Sequence, residues 1–225
     1  MSGTNLVTQY LPEFQLAGRT LLECGCNNSH SGNLSVRCVN ANANAGAASS
    51  ADPAPDTVLI TRTGAMLAAL GADDLIVTSM MPTPDERAAA STELPVHLAI
   101  YEQTSYGSIA HGHAPWAVLA GWMCDELRPI DVEGAYYFGR IPVVECVPAT
   151  ASAKTGAALA KALADVPVVI LRGHGVFAVG NRITEAMQRI TSVNDSARLF
   201  VEARRSGLDT TMLAQKEYLD FGRGP

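Results

Sequence analysis

Two histidines one residue apart, His111 and His113, sit in the stretch SIAHGHAPWAV of a chain that carries only five. Along an extended strand alternate side chains share a face, so the pair projects to one side with both rings in reach of a single ion. A third, His174, lies in LRGHGVF, where glycines on both sides remove side-chain bulk and let a tight turn present the imidazole. Neutral imidazoles suit zinc and similar divalent metals, and three protein ligands leave a position open for water or substrate, as catalytic sites do. His97 stands one helical turn from Glu93 and competes for a place beside the ion. Its neighbours Leu94, Leu98 and Tyr101 mark a core face, which predicts a buried, hydrogen-bonded ring instead. His30, in the polar turn NNSHSGN, reads as a loop residue. Cys24 and Cys26 form a lone C-x-C without the second pair of a zinc finger, and read as thiols at a helix end.

These side chains need elements to carry them. Residues 9–24 place Phe14, Ala17, Leu21 and Leu22 at helical spacing, with Gly25 as the stop. LSVRCV, TVLIT and DLIVTSM read as strands, MPTPDE as a turn and RAAAS as a short extended piece. TELPVHLAIYEQT reads as a helix beginning near Thr92, because Pro95 is tolerated only in a first turn. That puts Ser91, Thr92 and Glu93 at a helix N-terminus. A strand SIAHGH, a helix PWAVLAGWMC, a strand PVVECV, a helix SAKTGAALAKALA, a strand pair PVVILRGHGVFAVG and a last helix over about 183–206 follow. Strands and helices interleave, yet the RGHG turn is too short for a helical crossover, so part of the sheet must be antiparallel. The reading is one α/β domain over 1–225, with a flexible loop at 40–55 and a C-terminal tail at 207–225.

Composition narrows the partners. With 225 residues, 48% hydrophobic and 17% charged, the chain can bury a sizeable single core. A net charge of −6 without a Lys/Arg block argues against a nucleic-acid footprint, so an anionic substrate must be held by local geometry. No apolar run approaches the roughly 18 residues of a membrane span. The N-terminal stretch lacks the basic start and apolar region of a signal peptide, and five cysteines make a disulfide framework improbable. A cytoplasmic location is the expectation.

The ordered set SGNLSVR (31–37), ITRTG (60–64), STE followed by His97 and Tyr101, HGH (111–113) and GHG (173–175) resembles the class II aldolase/adducin family over about residues 10–203. The resemblance implies a three-layer α/β/α domain around a mostly antiparallel sheet. It also implies a substrate phosphate held by Asn33, Thr63, Gly64, Ser91 and Thr92, with Arg62 able to assist. Glycine permits close backbone approach, hydroxyls donate, and a helix start offers free N–H groups to an anion. His111, His113 and His174 become ligands of Zn2+, with Mn2+ or Co2+ as alternatives, and Glu93 approaches or ligates the metal and acts as general acid/base. Relatives of this type assemble as tetramers in which a neighbour's tyrosine, here Tyr136 or Tyr137, helps protonate the leaving fragment; Tyr218 lies where some carry a mobile aromatic tail.

The implied reaction is reversible cleavage of a ketose 1-phosphate into dihydroxyacetone phosphate and an aldehyde. Decarboxylation of a phosphorylated oxo-sugar acid and dehydration of a methylthioribulose 1-phosphate use the same kind of site. The family's 4-epimerases usually carry aspartate where Glu93 stands, which counts against that activity, and an adducin-like interaction module has no need of the histidines and glutamate.

Overall fold

The first helix, α1 (Gly3–Glu23), buries Phe14, Ala17 and Leu21 and continues N-terminally through Pro12, beyond the expected start; Leu22 faces solvent. It stops where the sequence says it should. Gly25 takes φ +66°, its N–H donates to Leu22 O at 3.0 Å and the Cys26 N–H to Leu21 O at 2.8 Å, the paired bonds of a Schellman cap. The computed structural model describes residues 3–38 and 57–220. The expected loop at 40–55 therefore lies outside the described residues, as do 221–225 of the tail.

Among the described residues, eight strands form one sheet: β1 (Asn33–Cys38), β2 (Thr57–Thr61), β3 (Leu75–Ser79), β4 (Ser108–Gly112), β5 (Glu126–Leu127), β6 (Ile141–Val144), β7 (Val168–Leu171) and β8 (Gly175–Gly180). Their order across the sheet is β3-β2-β1-β4-β8-β7-β6-β5, and every neighbouring pair is antiparallel except β6 with β7. The β1–β4 ladder sets Asn33 opposite His111, and the β4–β8 ladder sets His111 opposite Phe177.

Helices cover both faces, as the α/β reading requires. Leu34, Ala110, Val176 and Ala178 on one face pack against α1, α4 (Pro115–Gly121) and the long α7 (Ile183–Arg205). Ile60, Ile109, Phe177 and Val179 on the other pack against α3 (Leu94–Gln103) and α6 (Ala153–Leu163). The period-two alternation of buried residues in β4 and β8 thus feeds two cores, one on each side. The second contains His97, Ser35 and Tyr101 as its polar members.

Several local expectations change. MPTPDE and RAAAS are not a turn and an extended piece: Pro84–Ala89 is a helix, α2, whose Thr83 side chain accepts from Glu86 N while Glu86 returns to Thr83 N at 2.8 Å. That T-x-x-E capping box with Pro at the first position was written in the sequence. Helix α3 starts at Leu94, two residues later than expected, with Glu93 as its N-cap residue. GAYY lies in a short helix, α5 (Val132–Tyr137), capped by Asp131 on Gly134 N. Of the tail, Thr210–Ala214 forms α8 and Glu217–Leu219 a 3-10 turn that packs on α5. No described helix is long and apolar enough to cross a membrane.

Candidate metal centre and active site

His111 is fully buried in β4 and stacks on its ladder partner Phe177, ring centroids 4.0 Å apart and planes 13° from parallel. His113 follows one residue beyond the strand, its N–H donating to Asn27 Oδ1 at 2.9 Å. His174 comes from the β7–β8 turn, where Leu171 pairs with Gly175 and Gly173 reverses the chain at φ +72°. The second glycine has a different task. A Cβ on Gly175 would stand 2.4 Å from Gly112 O and 3.0 Å from His111 Cε1, so only glycine lets the turn close over β4.

The three rings form a near-equilateral triangle with centroid separations of 4.9, 4.7 and 4.9 Å, and one nitrogen from each lies within 4.8 Å of the others. Hydrogen bonding selects the tautomers. His111 Nδ1 faces Val176 O at 3.0 Å and His174 Nδ1 faces Ala149 O at 2.7 Å. A carbonyl only accepts, so both Nδ1 atoms carry the proton and both Nε2 atoms present lone pairs. Those two Nε2 atoms are 3.3 Å apart, two acceptors facing each other with no proton to share. A cation between them removes the conflict, and carbonyl partners behind ligating imidazoles are the usual second support of such a site. Burial, then the neighbouring histidines, push His111 well below its usual value and His113 down to about 4. Both are therefore neutral, ligand-competent bases near pH 7.

Glu93 stands outside this set of three. Its carboxylate is buried, with Oε1 accepting from Thr150 Oγ1 and from Ala151 N at 3.1 Å, while Oε2 has no hydrogen-bond partner among the described residues. Ala151 holds this contact in the left-handed region at φ 52°, a conformation that costs a non-glycine residue about 1–3 kcal/mol. The tripeptide Ala149–Ala151 thus touches His174 with one carbonyl and Glu93 with a hydroxyl and an N–H.

The anion-type residues gather around Thr61. Its Oγ1 accepts from Leu34 N at 3.2 Å, next to Asn33, and its carbonyl accepts from Ser91 N at 3.0 Å. Thr63 N donates to Ala89 O at 3.2 Å and Gly64 turns at φ +71°, so the Thr63-Gly64 turn lies against the segment leading to Ser91 and Thr92. Ser91 Oγ accepts from Glu93 N at 3.3 Å, tying that segment to the glutamate. Arg62 is exposed and bridges Ala90 through its backbone. His97 is buried as expected, between Asn33 Oδ1 at 2.6 Å and Ser35 Oγ at 2.7 Å.

Other candidates fall elsewhere. Tyr136 and Tyr137 are 50% and 37% exposed on α5, which packs on α7. Tyr218 lies in the 3-10 turn after α8. His30 is an exposed loop residue, its Nδ1 beside Ser29 Oγ at 2.9 Å. Cys24 and Cys26 are free, and burial pushes the Cys26 thiol up to about 12, so it is a protonated thiol near pH 7. Asn27, Thr150 and Ala151 were not legible as site residues. Asn27 lies wedged against Gly32 and Gly112, and the only hint of it was the unusual polarity of CNNSHSGN.

A model of the class II aldolase and adducin N-terminal domain matches residues 13–201. The chain belongs to this family. Among solved class II aldolase structures, L-fuculose-1-phosphate aldolase from Thermus thermophilus superposes with a TM-score of 0.75 at 28% identity, covering 89% of this chain and 98% of that one. A sugar-phosphate aldolase from Thermotoga maritima shares the fold at TM-score 0.73 and 19% identity, covering 90% and 97%. Among curated relatives, the 3,4-dihydroxyphthalate decarboxylase of Rhodococcus jostii is 31% identical over 51% of this chain and 50% of its own length. Rhamnulose-1-phosphate aldolase of Bacteroides thetaiotaomicron is 27% identical over 59% and 55%. The chain spans about half the length of these two relatives. It matches 77% of its own length to 81% of the methylthioribulose-1-phosphate dehydratase of Acidiphilium cryptum, at 28% identity.

Proposed function

We propose that this chain is a divalent-metal-dependent lyase that reversibly cleaves a ketose 1-phosphate, of the fuculose or ribulose type, into dihydroxyacetone phosphate and an aldehyde. The observation that carries the reading is the convergence of the His111 and His174 Nε2 lone pairs beside His113. The fuculose- and rhamnulose-phosphate aldolases among the relatives support the substrate class. The all-nitrogen donor set favours zinc, with manganese or cobalt as substitutes; bound there, the ion would polarise the substrate carbonyl and offset the charge that develops as the carbon–carbon bond breaks.

The chain's own residues do the rest. Asn33, the Thr63-Gly64 turn, Ser91 and Thr92 hold the phosphate through amide, hydroxyl and backbone N–H donors, which fixes the position of the reacting carbons. Glu93 moves one proton at C3 of dihydroxyacetone phosphate: it removes the proton in the synthetic direction and returns it in cleavage. Oε1 is engaged by the Thr150 hydroxyl and the Ala151 N–H, and the unpartnered Oε2 is the oxygen left to take the proton. Tyr136 or Tyr137 of a neighbouring subunit in a homotetramer supplies the proton exchanged with the aldehyde oxygen. The protein acts in the cytoplasm.

Metal-replete protein incubated in heavy water with dihydroxyacetone phosphate should exchange the C3 proton, and Glu93→Gln should not; equal rates for the two would end the aldolase reading. A panel of aldehydes then identifies the adduct. A second reading, dehydration of methylthioribulose 1-phosphate, draws on the relative matched over most of both lengths. Release of water and formation of a diketone from that substrate, without C3 exchange, would replace the first reading.

A further inference from the structure

Four buried side chains form a continuous hydrogen-bonded line from the core to the edge of the site. Tyr101 Oη lies 2.8 Å from Ser35 Oγ, Ser35 Oγ 2.7 Å from His97 Nδ1, and His97 Nε2 2.6 Å from Asn33 Oδ1. Asn33 and Ser35 alternate on one face of β1, and His97 and Tyr101 are one turn apart on α3, so the line crosses the sheet–helix interface rung by rung.

The far end decides which way the protons point. Ser35 is the only hydrogen-bond partner of the Tyr101 hydroxyl among the described residues, and a buried phenol left with its proton unshared is costly. Tyr101 therefore donates to Ser35, Ser35 donates to His97 Nδ1, and the remaining ring proton on Nε2 donates to Asn33 Oδ1. Burial, which pushes His97 down to about 3, keeps the ring in this singly protonated form. With Oδ1 occupied, the Asn33 amide keeps its NH2 for a further acceptor, and that nitrogen has no hydrogen-bond partner among the described residues.

We infer that the Tyr101–Ser35–His97 line is a positioning relay that locks the Asn33 amide as a donor, so that the subsite accepts an anionic oxygen such as phosphate. The inference rests on the proposed placing of Asn33 against the substrate phosphate. Without the relay the amide is free to rotate by half a turn and present its oxygen to the anion. That exchanges one attractive contact for a repulsive one.

The test separates phosphate recognition from chemistry. Calorimetry with inorganic phosphate gives affinity, and exchange kinetics compare dihydroxyacetone phosphate with phosphate-free dihydroxyacetone. Tyr101→Phe keeps the ring and removes the terminal donor, His97→Leu removes the last link, and His97→Gln returns an N–H near the Nε2 position. Tyr101→Phe and His97→Leu should each weaken inorganic phosphate and raise KM for dihydroxyacetone phosphate by about tenfold, the effect of one hydrogen bond to a charged group. kcat and the kinetics of dihydroxyacetone should change by less than about twofold, and His97→Gln should recover most of the lost affinity. Folded variants, judged by near-ultraviolet circular dichroism, that bind phosphate as the parent does would overturn the relay. So would equal losses on both substrates, failure of Gln to rescue, or a parent chain with no phosphate affinity. A parent that binds phosphate in this relay-dependent way but exchanges no C3 proton would leave the relay standing and remove the proposed reaction.

Discussion

His97 should make the fold sensitive to mild acid, and the size of the effect can be worked out. Burial lowers its pKa from 6.5 to about 3. The unfolded chain takes up a proton on this ring below pH 6.5, whereas the folded chain refuses it until about pH 3. A group whose folded value is depressed in this way, when its neutral form is the buried one, leaves stability intact above pH 6.5. Stability is then lost progressively as the pH falls toward 3. At pH 5 the solution lies about 1.5 pH units below the titration point of the unfolded ring, which amounts to about 2 kcal/mol. That is a sizeable part of the ~5–15 kcal/mol that holds a domain together. His97→Gln replaces the titrating ring with a neutral amide, so from pH 7 to pH 5 the parent should lose about 2 kcal/mol more stability than the variant. Urea unfolding midpoints at both pH values, measured in chelator so that metal binding does not enter, give the double difference. The carboxylates and the other histidines titrate in both proteins and cancel. Parallel stability curves for parent and variant between pH 7 and 5 would refute a neutral, buried His97.

Metal-stripped protein should take up one equivalent of Zn2+ by calorimetry. At a free concentration about a hundred times Kd the ion should add about 2.7 kcal/mol and raise Tm by about 5–10 °C, and His174→Ala should abolish both. Glu93→Gln should keep its metal while C3 exchange falls by about 10²–10⁴-fold; loss of metal from this variant would make Glu93 a ligand after all. Gly175→Ala forces a Cβ against Gly112 O and His111 Cε1, so chelator competition should show metal affinity at least about tenfold weaker in a protein that still folds. An unchanged affinity would mean the β7–β8 turn does not set the position of the ligands.

Local chemistry was legible in the sequence and long-range pairing was not. The H-x-H spacing and the glycine-flanked His174 pointed to the three-histidine cluster because strand alternation and a tight turn are local rules. Pro95 and the core neighbours of His97 placed α3 and its buried ring to within two residues. The α2 capping box was missed although it is also local, because two prolines and a run of alanines resembled a turn and an extended piece. The Ala149–Ala151 contact with Glu93 and His174 could not be read, since it joins segments about sixty and twenty-five residues apart through a carbonyl, a backbone N–H and a threonine. None of those groups has a sequence signature. Asn33 was singled out from the resemblance; the inferred direction of its amide depends on Tyr101, at the far end of a line that crosses between β1 and α3 three times.

The ladder register of Asn33 with His111 has a further consequence. Directly opposed residues on antiparallel strands have Cα atoms about 4.5–5.5 Å apart, a spacing set by backbone hydrogen bonds and not by side chains. The group proposed to grip the anion and a group placed to grip the ion are thus mounted on a rigid ruler inside the sheet. On the proposed reading, a ligand would be measured for length between its anionic and carbonyl ends by the sheet itself, before any loop residue inspects its identity. Changing the loops at the strand ends would then alter which substrate fits, while the gauge itself stays fixed unless a strand slips by a residue.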